Sequence, residues 1–253
     1  MNLYDDKNIN YAAIFDQRGD DYHKAMKLIP SARDNEFINL LNQSVLKDGM
    51  TVVDIPSGGN YLSNYINQKV TLFPLETSEV FAKLGNSKLC SWSLLPLENN
   101  SIDVIFTCAA FHHVVEMDRK KFMEEASRVL KTDGKLVIAD VKAGTAVDQF
   151  LNTFVDKNNS LGHKGVFMDD TFSKAYETAS LKASASNFLK FPWVLSNIED
   201  ISISYLKLMF GIDKASQSSI KKEIAKTLNF QKTETGNYTI DWALNYEIFT
   251  KII

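Results

Sequence analysis

Between residues 51 and 141, short apolar runs alternate with stretches of helical spacing, and this alternation constrains the fold more than any other feature of the chain. The runs at 51–55, 70–75, 88–91, 102–107 and 135–141 read as strands. Helices are expected at 61–67, at 77–84 and after a cap at Asp118, where Phe122, Ala126, Val129 and Leu130 share one face and Glu124 pairs with Arg128 one turn on. Strands and helices taking turns at these lengths predict a parallel sheet covered on both faces. In such a sheet the ligand crevice opens at the carboxyl ends of the strands, where the strand order reverses. Asp54, Glu76, Ser91 and residues 107–113 therefore become the candidate site.

The flanks read differently. Tyr4, Tyr11, Phe15 and Tyr22 suggest short helices in an N-terminal cap, and 31–34 has the spacing of a capping box before the helical pattern of Phe37, Ile38, Leu41, Val45 and Leu46. Residues 144–228 read as mostly helical. Tyr238, Ile240, Trp242, Leu244, Tyr246 and Ile248 then alternate strictly, which predicts a strand paired with 230–235 across a turn at 235–237. The expected fold is α/β: a Rossmann-like three-layer sandwich whose mostly parallel seven-stranded sheet ends in an antiparallel C-terminal hairpin. A helical cap (1–46) precedes the core (50–141), and a mostly helical insert (144–228) precedes the hairpin (229–253). No repeat, low-complexity tract or linker divides the chain, so a single domain over 1–253 is expected.

Composition narrows the partners. The chain has 253 residues, 45% of them hydrophobic, enough for one sizeable core. Its net charge of -3 comes without a basic stripe, so no nucleic-acid partner is expected. The start lacks the basic and apolar regions of a signal peptide, and no apolar run reaches membrane-spanning length; a cytoplasmic protein without a membrane partner follows. Cys90 and Cys108 fit a reduced compartment and lack metal-ligand spacing, so no metal is expected. A monomer or homodimer is anticipated.

The loop at 54–60 needs residues that bend sharply. Gly58 and Gly59 do so, and Asn60 is the other residue best suited to a left-handed conformation. Glu76 ends the second strand, where an acid accepts hydrogen bonds from both ribose hydroxyls of an adenosine in dinucleotide folds. A glycine pair alone is equally a tight turn, and Glu76 alone a surface acid.

The ordered series carries more. The runs VVDIPSGGNYL at 52–62, ETS at 76–78, LLPLENNSIDVIF at 94–106, AAFHHV at 109–114 and RVLKTDGKLVIAD at 128–140 together resemble the motifs of class I S-adenosylmethionine (SAM)-dependent methyltransferases. The general flavour is that of the small-molecule group, with the ubiquinone/menaquinone and sterol-type enzymes. The resemblance implies SAM as cofactor and S-adenosyl-L-homocysteine as product. It places Asp54, Pro56, Ser57, Gly58 and Asn60 at the cofactor loop, and Glu76 and Thr77 at the ribose. Ser91, Trp92 and Ser93 fall near the adenine, and Thr107 and Cys108 at the end of the fourth strand. Two departures stand out: Pro56 and Asn60 replace glycines of the family's loop, and Ser91-Trp92 replaces an acid followed by a small residue.

Methyl transfer from a sulfonium needs mainly proximity and orientation, and a base only where the acceptor must lose a proton. His112 is the candidate base, with a packing role expected for His113. Tyr11, Arg18, Tyr22 and His112 are expected at the substrate. Arg18 and Arg33 suit an acceptor carboxylate, but ordinary surface ion pairs are the first expectation for both. The dense aromatics of the insert, Trp193 and Phe210 among them, suggest a small apolar or aromatic acceptor. Two alternatives stay open: a catalytically inactive binding protein of the same fold, and a SAM-binding enzyme that catalyses a reaction other than methyl transfer.

Overall fold

The computed structural model describes residues 10–253, so Tyr4 lies outside the described residues. Strands β1 (Thr51–Asp54), β2 (Thr71–Glu76), β3 (Lys88–Leu89), β4 (Ile102–Cys108) and β5 (Leu130–Asp140) form the alternating core. Every pairing among them is parallel. Their order, β3-β2-β1-β4-β5, places the reversal between β1 and β4, so the crevice opens beside Asp54 and Cys108.

Beyond β5 the sheet turns antiparallel. β8 (Tyr238–Lys251) lies between β5 and β6 (Leu181–Val194), and the two-residue β7 (Gln231–Lys232) pairs with its first turn. Alternation along each strand builds two cores. Val52, Val104, Phe106 and Val137 face one side with Ile240, Trp242, Leu244, Tyr246 and Ile248. Val53, Ile105, Leu136, Ile138 and Phe249 face the other.

Helices cover both faces. They are α1 (Tyr11–Leu28), α2 (Asp34–Leu41), α3 (Glu79–Gly85), α4 (Glu116–Val129), α5 (Ala146–Gln149), α6 (Asp156–Asn158), α7 (Phe172–Ala175), α8 (Glu199–Phe210) and α9 (Gln217–Thr227), with a π-helical turn, Phe150–Val155, joining α5 to α6. α1 belongs to both cores: Tyr11 and Phe15 pack with Phe81 and Trp92, whereas Ala25 and Met26 pack with Phe37 and Leu40 on the opposite side. It therefore crosses from one face of the sheet to the other as a cap. None of the helices among the described residues is long and apolar enough to cross a membrane.

Several local expectations change. The cap begins with a single helix of 18 residues, started by the Asn10 side chain accepting from the Ala13 N–H at 3.1 Å, rather than with short pieces. The capping box at 31–34 is not made: α2 starts at Asp34 after Arg33, whose side chain is engaged elsewhere. Asp118 sits in the first turn of α4, not at its cap. Arg128 pairs with Glu125 at 2.6 Å, not with Glu124, because its guanidinium reaches back to the carbonyls of Leu95 and Leu97.

The largest correction concerns the segment read as mostly helical. It contains β6, and β6 rather than 230–235 is the main partner of the C-terminal strand. β6 is an edge strand whose stretch from Ser184 to Phe188 is exposed, so it shows no apolar alternation there. Pro192 is tolerated on that edge because its missing N–H interrupts no ladder on the open side. The sheet accordingly has eight strands rather than seven.

Because β8 is central, truncating its core side chains must hurt as much as truncating the parallel core. Leu244→Ala, at a fully buried position, is expected to lower unfolding free energy by about 2–5 kcal/mol in urea titrations. A loss below about 1 kcal/mol would show that the antiparallel half is peripheral.

Candidate functional site

The loop after β1 is shaped by backbone conformation. Gly58 (φ +55) and Asn60 (φ 59) both take left-handed geometry, which glycine adopts freely and asparagine better than other residues. The Ser57 N–H donates to the Leu75 carbonyl at 2.8 Å and the Gly58 N–H to Glu76 Oε2 at 2.7 Å, so the loop is sewn to the end of β2.

Glu76 is the hub of this region. Its other oxygen accepts from the N–H groups of Thr77 and Ser78 at 2.7 and 2.9 Å, and the Tyr11 hydroxyl of α1 donates to Oε2 at 3.4 Å. Burial pushes its pKa up to about 7, outweighing the backbone donors that favour the charged form. Burial, with the Glu76 charge beside it, also holds Asp54 well above the usual carboxylate range. Among the described residues Asp54 makes no ion pair.

Three neighbouring hollows open around these strand ends. The first, ≈ 470 Å³, is walled by Asp54, Pro56, Ser57, Gly58 and Cys108, with Tyr11, Tyr22 and Arg33 opposite. The second, ≈ 500 Å³, is walled by Arg18, Tyr22, His112, His113 and His163 and by the apolar faces of Trp193, Met209, Phe210 and Trp242. A third, ≈ 590 Å³, runs past Tyr11, Thr77, Ser91, Trp92 and Ser93. Trp92 also packs edge-on against Tyr11, Phe111 and Phe122, so it serves core and hollow together. Three expected residues line none of the three hollows: Glu76 is covered by its donors, Thr107 is wholly buried, and Asn60 is half-buried outside them. The side-chain oxygens of Asn60, Thr77 and Thr107 are buried without a hydrogen-bond partner.

His112 is held by Asp140. Its Nδ1 lies 2.7 Å from Asp140 Oδ1, its own N–H donates to Oδ2 at 2.8 Å, and the Val141 N–H donates to Oδ1 at 2.7 Å. An ionised carboxylate only accepts, so the proton sits on Nδ1 and Nε2 keeps its lone pair. His113 and His163 pack against it, with ring centroids 4.0 and 5.4 Å from that of His112. Burial pushes the pKa of both well below the ordinary histidine value. Both are thus neutral at physiological pH.

Between the first two hollows stands a buried ion pair. The Arg33 guanidinium pairs with Glu36, donates to the Tyr22 hydroxyl, and lies over the rings of Tyr22, Phe37 and Trp193. Glu36 accepts in addition from Trp193 Nε1 at 3.0 Å and from Cys108 Sγ at 3.5 Å. Burial alone lowers an arginine's pKa; here the Glu36 charge more than reverses it.

The sequence reading omitted Glu36, gave Asp140 no role beyond the motif it ends, and counted His163 only among the insert residues that could line an acceptor pocket. Asp140 carried a usable signal, since it ends β5 as Asp54 ends β1. Glu36 carried none, because it reaches the site only through contacts with distant parts of the chain.

Comparison with known proteins places this geometry. Residues 54–138 match the family model of the methyltransferase domain. An uncharacterized methyltransferase of Geobacillus sp. (strain WCH70) is 27% identical over 142 residues, which make up 51% of this chain and 67% of that protein. Ribosomal RNA-processing protein 8 of Mus musculus is 29% identical over 124 residues, 49% of this chain but only 25% of its own length. Among solved structures, the YcgJ protein of Bacillus subtilis matches with a TM-score of 0.58 at 14% identity, over 86% of this chain and 99% of that one. Geranyl diphosphate C-methyltransferase from Streptomyces coelicolor A3(2), solved with Mg2+, geranyl diphosphate and S-adenosyl-L-homocysteine, matches with a TM-score of 0.56 at 14% identity over 91% and 83%. Likeness of sequence thus covers about half of this chain, and likeness of fold covers most of it.

The Arg33–Glu36 pair is the structural prediction of this site. Arg33→Ala leaves the Glu36 carboxylate buried without its cation and is expected to cost about 3–5 kcal/mol in denaturant titrations. A loss under about 1 kcal/mol would mean that water or a neighbour replaces the guanidinium.

Proposed function

We infer, from the match of residues 54–138 to the methyltransferase-domain family model, that the chain transfers a methyl group from SAM to a small acceptor held in the second hollow. One observation carries this reading: the first and second hollows share Phe15, Tyr22, Arg33 and Ala109 in their walls, so a donor side and an acceptor side adjoin. Methyl transfer asks for that adjacency above all.

The residues present fit the cofactor. Asp54, a buried carboxylate without an ion pair in the first hollow, suits the ammonium of the methionine moiety. Glu76 suits the ribose hydroxyls, accepting from them in exchange for Tyr11. Thr77, whose hydroxyl has no partner, lines the third hollow with Ser91, Trp92 and Ser93, the hollow expected to hold the adenine. Bound SAM supplies a methyl group on a positively charged sulfur. The chain's own part is to align an acceptor with it and exclude water.

For an acceptor that must lose a proton from oxygen or nitrogen, His112 Nε2 is the base. Asp140 fixes the tautomer and stabilises the imidazolium that forms. A small acceptor is supported by the apolar walls of the second hollow and by the net charge of -3. Loss of the glycines at Pro56 and Asn60 leaves the left-handed turn intact, which favours a working loop over an eroded one.

Tritium from methyl-labelled SAM is expected to enter the small-molecule fraction of a cell extract and not its RNA; label confined to RNA would transfer the acceptor class to nucleic acid. Calorimetry supplies the prior test, since failure to bind both SAM and S-adenosyl-L-homocysteine would end the enzyme reading.

Because the ribose needs an ionised Glu76, SAM affinity should rise as pH increases through about 7, where burial has placed that group. E76Q should flatten the rise and weaken binding by about 1–3 kcal/mol. An unchanged pH profile removes Glu76 from the cofactor site. His112→Ala and Asp140→Asn should cut label transfer by about 10²–10⁴ while leaving S-adenosyl-L-homocysteine affinity as it is. Equal activity in both variants would show that no base is used.

A further inference from the structure

The second hollow contains an imbalance opposite in sign to that of Asp54 in the first. Arg33 and Arg18 are both buried arginines in its wall, yet only Arg33 has an acid. Arg18 is 9% exposed and makes no ion pair with any described residue. One of its nitrogens donates to the Met209 carbonyl at 2.8 Å, at the C-terminal end of α8, whose partial negative charge tolerates a cation. Its Nε has no partner. The backbone is cut away to admit the guanidinium: a Cβ on Gly211, which ends α8 at φ +60, would lie 2.5 Å from that Nε.

Two further groups of this wall are in the same state. Trp242 Nε1 and His163 Nδ1 are buried without partners. An arginine Nε and an indole Nε1 are donors that cannot accept, so what this wall lacks is an acceptor atom. The nitrogens of His112, His113 and His163 lie within 4.8 Å of one another, a spacing that by itself also admits a metal ion. The charge around them argues the other way. Asp140 is taken up by His112 and two backbone N–H groups, while Arg18 and Arg119 both set a positive field at His113. A dication there would meet arginines; an anion would meet unpaired donors.

We propose, building on the methyl-transfer reading above, that the second hollow recognises an anionic acceptor: a carboxylate or phosphate bound by Arg18, with His163 and Trp242 as supplementary donors and an apolar body against Trp193 and Phe210. Arg18 then acts as a specificity residue, lining the second hollow and not the first. Its contact with Met209 explains how an unpaired cation is kept folded, and the orphaned Nε shows what that contact leaves over.

The test uses the full chain saturated with S-adenosyl-L-homocysteine, titrated calorimetrically with phenylacetate, phenyl phosphate and the neutral phenylacetamide. At least one anion is expected to bind at least about tenfold more tightly than the amide, and comparison of the two anions separates carboxylate from phosphate. Arg18→Gln should weaken the preferred anion about tenfold to a hundredfold, to the level of the amide, with cofactor-product affinity unchanged. Arg18→Lys, which keeps the charge at the end of α8 but loses the planar fork, should fall between, and serves if the glutamine variant does not fold. The proposal is overturned if neither anion binds, if the amide binds as well, or if the preference survives Arg18→Gln or is unchanged in Arg18→Lys. It is also overturned if Co2+ binds with a histidine-type absorption band that His163→Ala abolishes and Arg18→Gln does not. Failure of S-adenosyl-L-homocysteine to bind is a separate outcome that removes the methyltransferase reading; the same titrations on the ligand-free chain then still decide whether Arg18 holds an anion.

Discussion

The buried pair of Arg33 and Glu36 is the interaction on which the arrangement of this molecule depends. Taking two opposite charges out of water is costly unless every donor and acceptor is answered. Here the answers come from four separate elements: Tyr22 on α1, Glu36 on α2, Cys108 at the end of β4 and Trp193 on β6. Satisfying the pair therefore fixes the cap, the fourth strand and the antiparallel edge relative to one another. The three aromatic rings around the guanidinium shield it from water, which strengthens the pair and raises the cost of breaking it. It also divides the interior, because the same pair forms the wall between the first two hollows.

A second buried carboxylate organises the other side of the crevice. Glu76 ties the turn at Gly58, the end of β2 and the first residue of α1 to a single group. The left-handed turn is needed for Gly58 to present its N–H to that carboxylate, so loop conformation and acid position are one device rather than two. α1 completes it, since its first half packs in one core and its second half in the other. The cap is thus anchored on both faces of the sheet, and Tyr11 lies over Glu76 as a consequence of that anchoring.

How much of this was legible in the sequence follows from the range of each interaction. The parallel strands were legible because each is a continuous apolar run bounded by its own turn, and Asp54 and Glu76 were singled out because in such sheets ligands bind at strand ends. The left-handed Asn60 was legible for a local reason as well. β6 was not: the stretch from Lys182 to Asn187 is polar and alanine-rich because it lies on an open edge, and a half-exposed edge leaves no alternation to read. The contact of Glu36 with Trp193 joins residues 157 positions apart, and no spacing encodes it. Arg18 shows the limit most plainly. As a residue type it suits a surface ion pair and a buried anion site equally, and only its burial beside Met209 without an acid separates the two.

That separation gives the interior a polarity that neither hollow has alone. The first holds Asp54, an acid without a cation; the second holds Arg18, a cation without an acid; and the neutralised pair of Arg33 and Glu36 stands between them. Unpaired charges of opposite sign would lower their energy by meeting, yet each is held in place by backbone geometry and helix packing. In a water-poor interior such charges are costly to the free protein and favourable to a matching ligand, because a ligand that pairs them recovers the desolvation already spent. On the proposed methyl-transfer reading, two ligands of opposite local charge, one in each hollow, would neutralise both sites at once. The adjoining walls at Phe15, Tyr22 and Ala109 then bring those ligands side by side, which is the geometry that transfer between them requires.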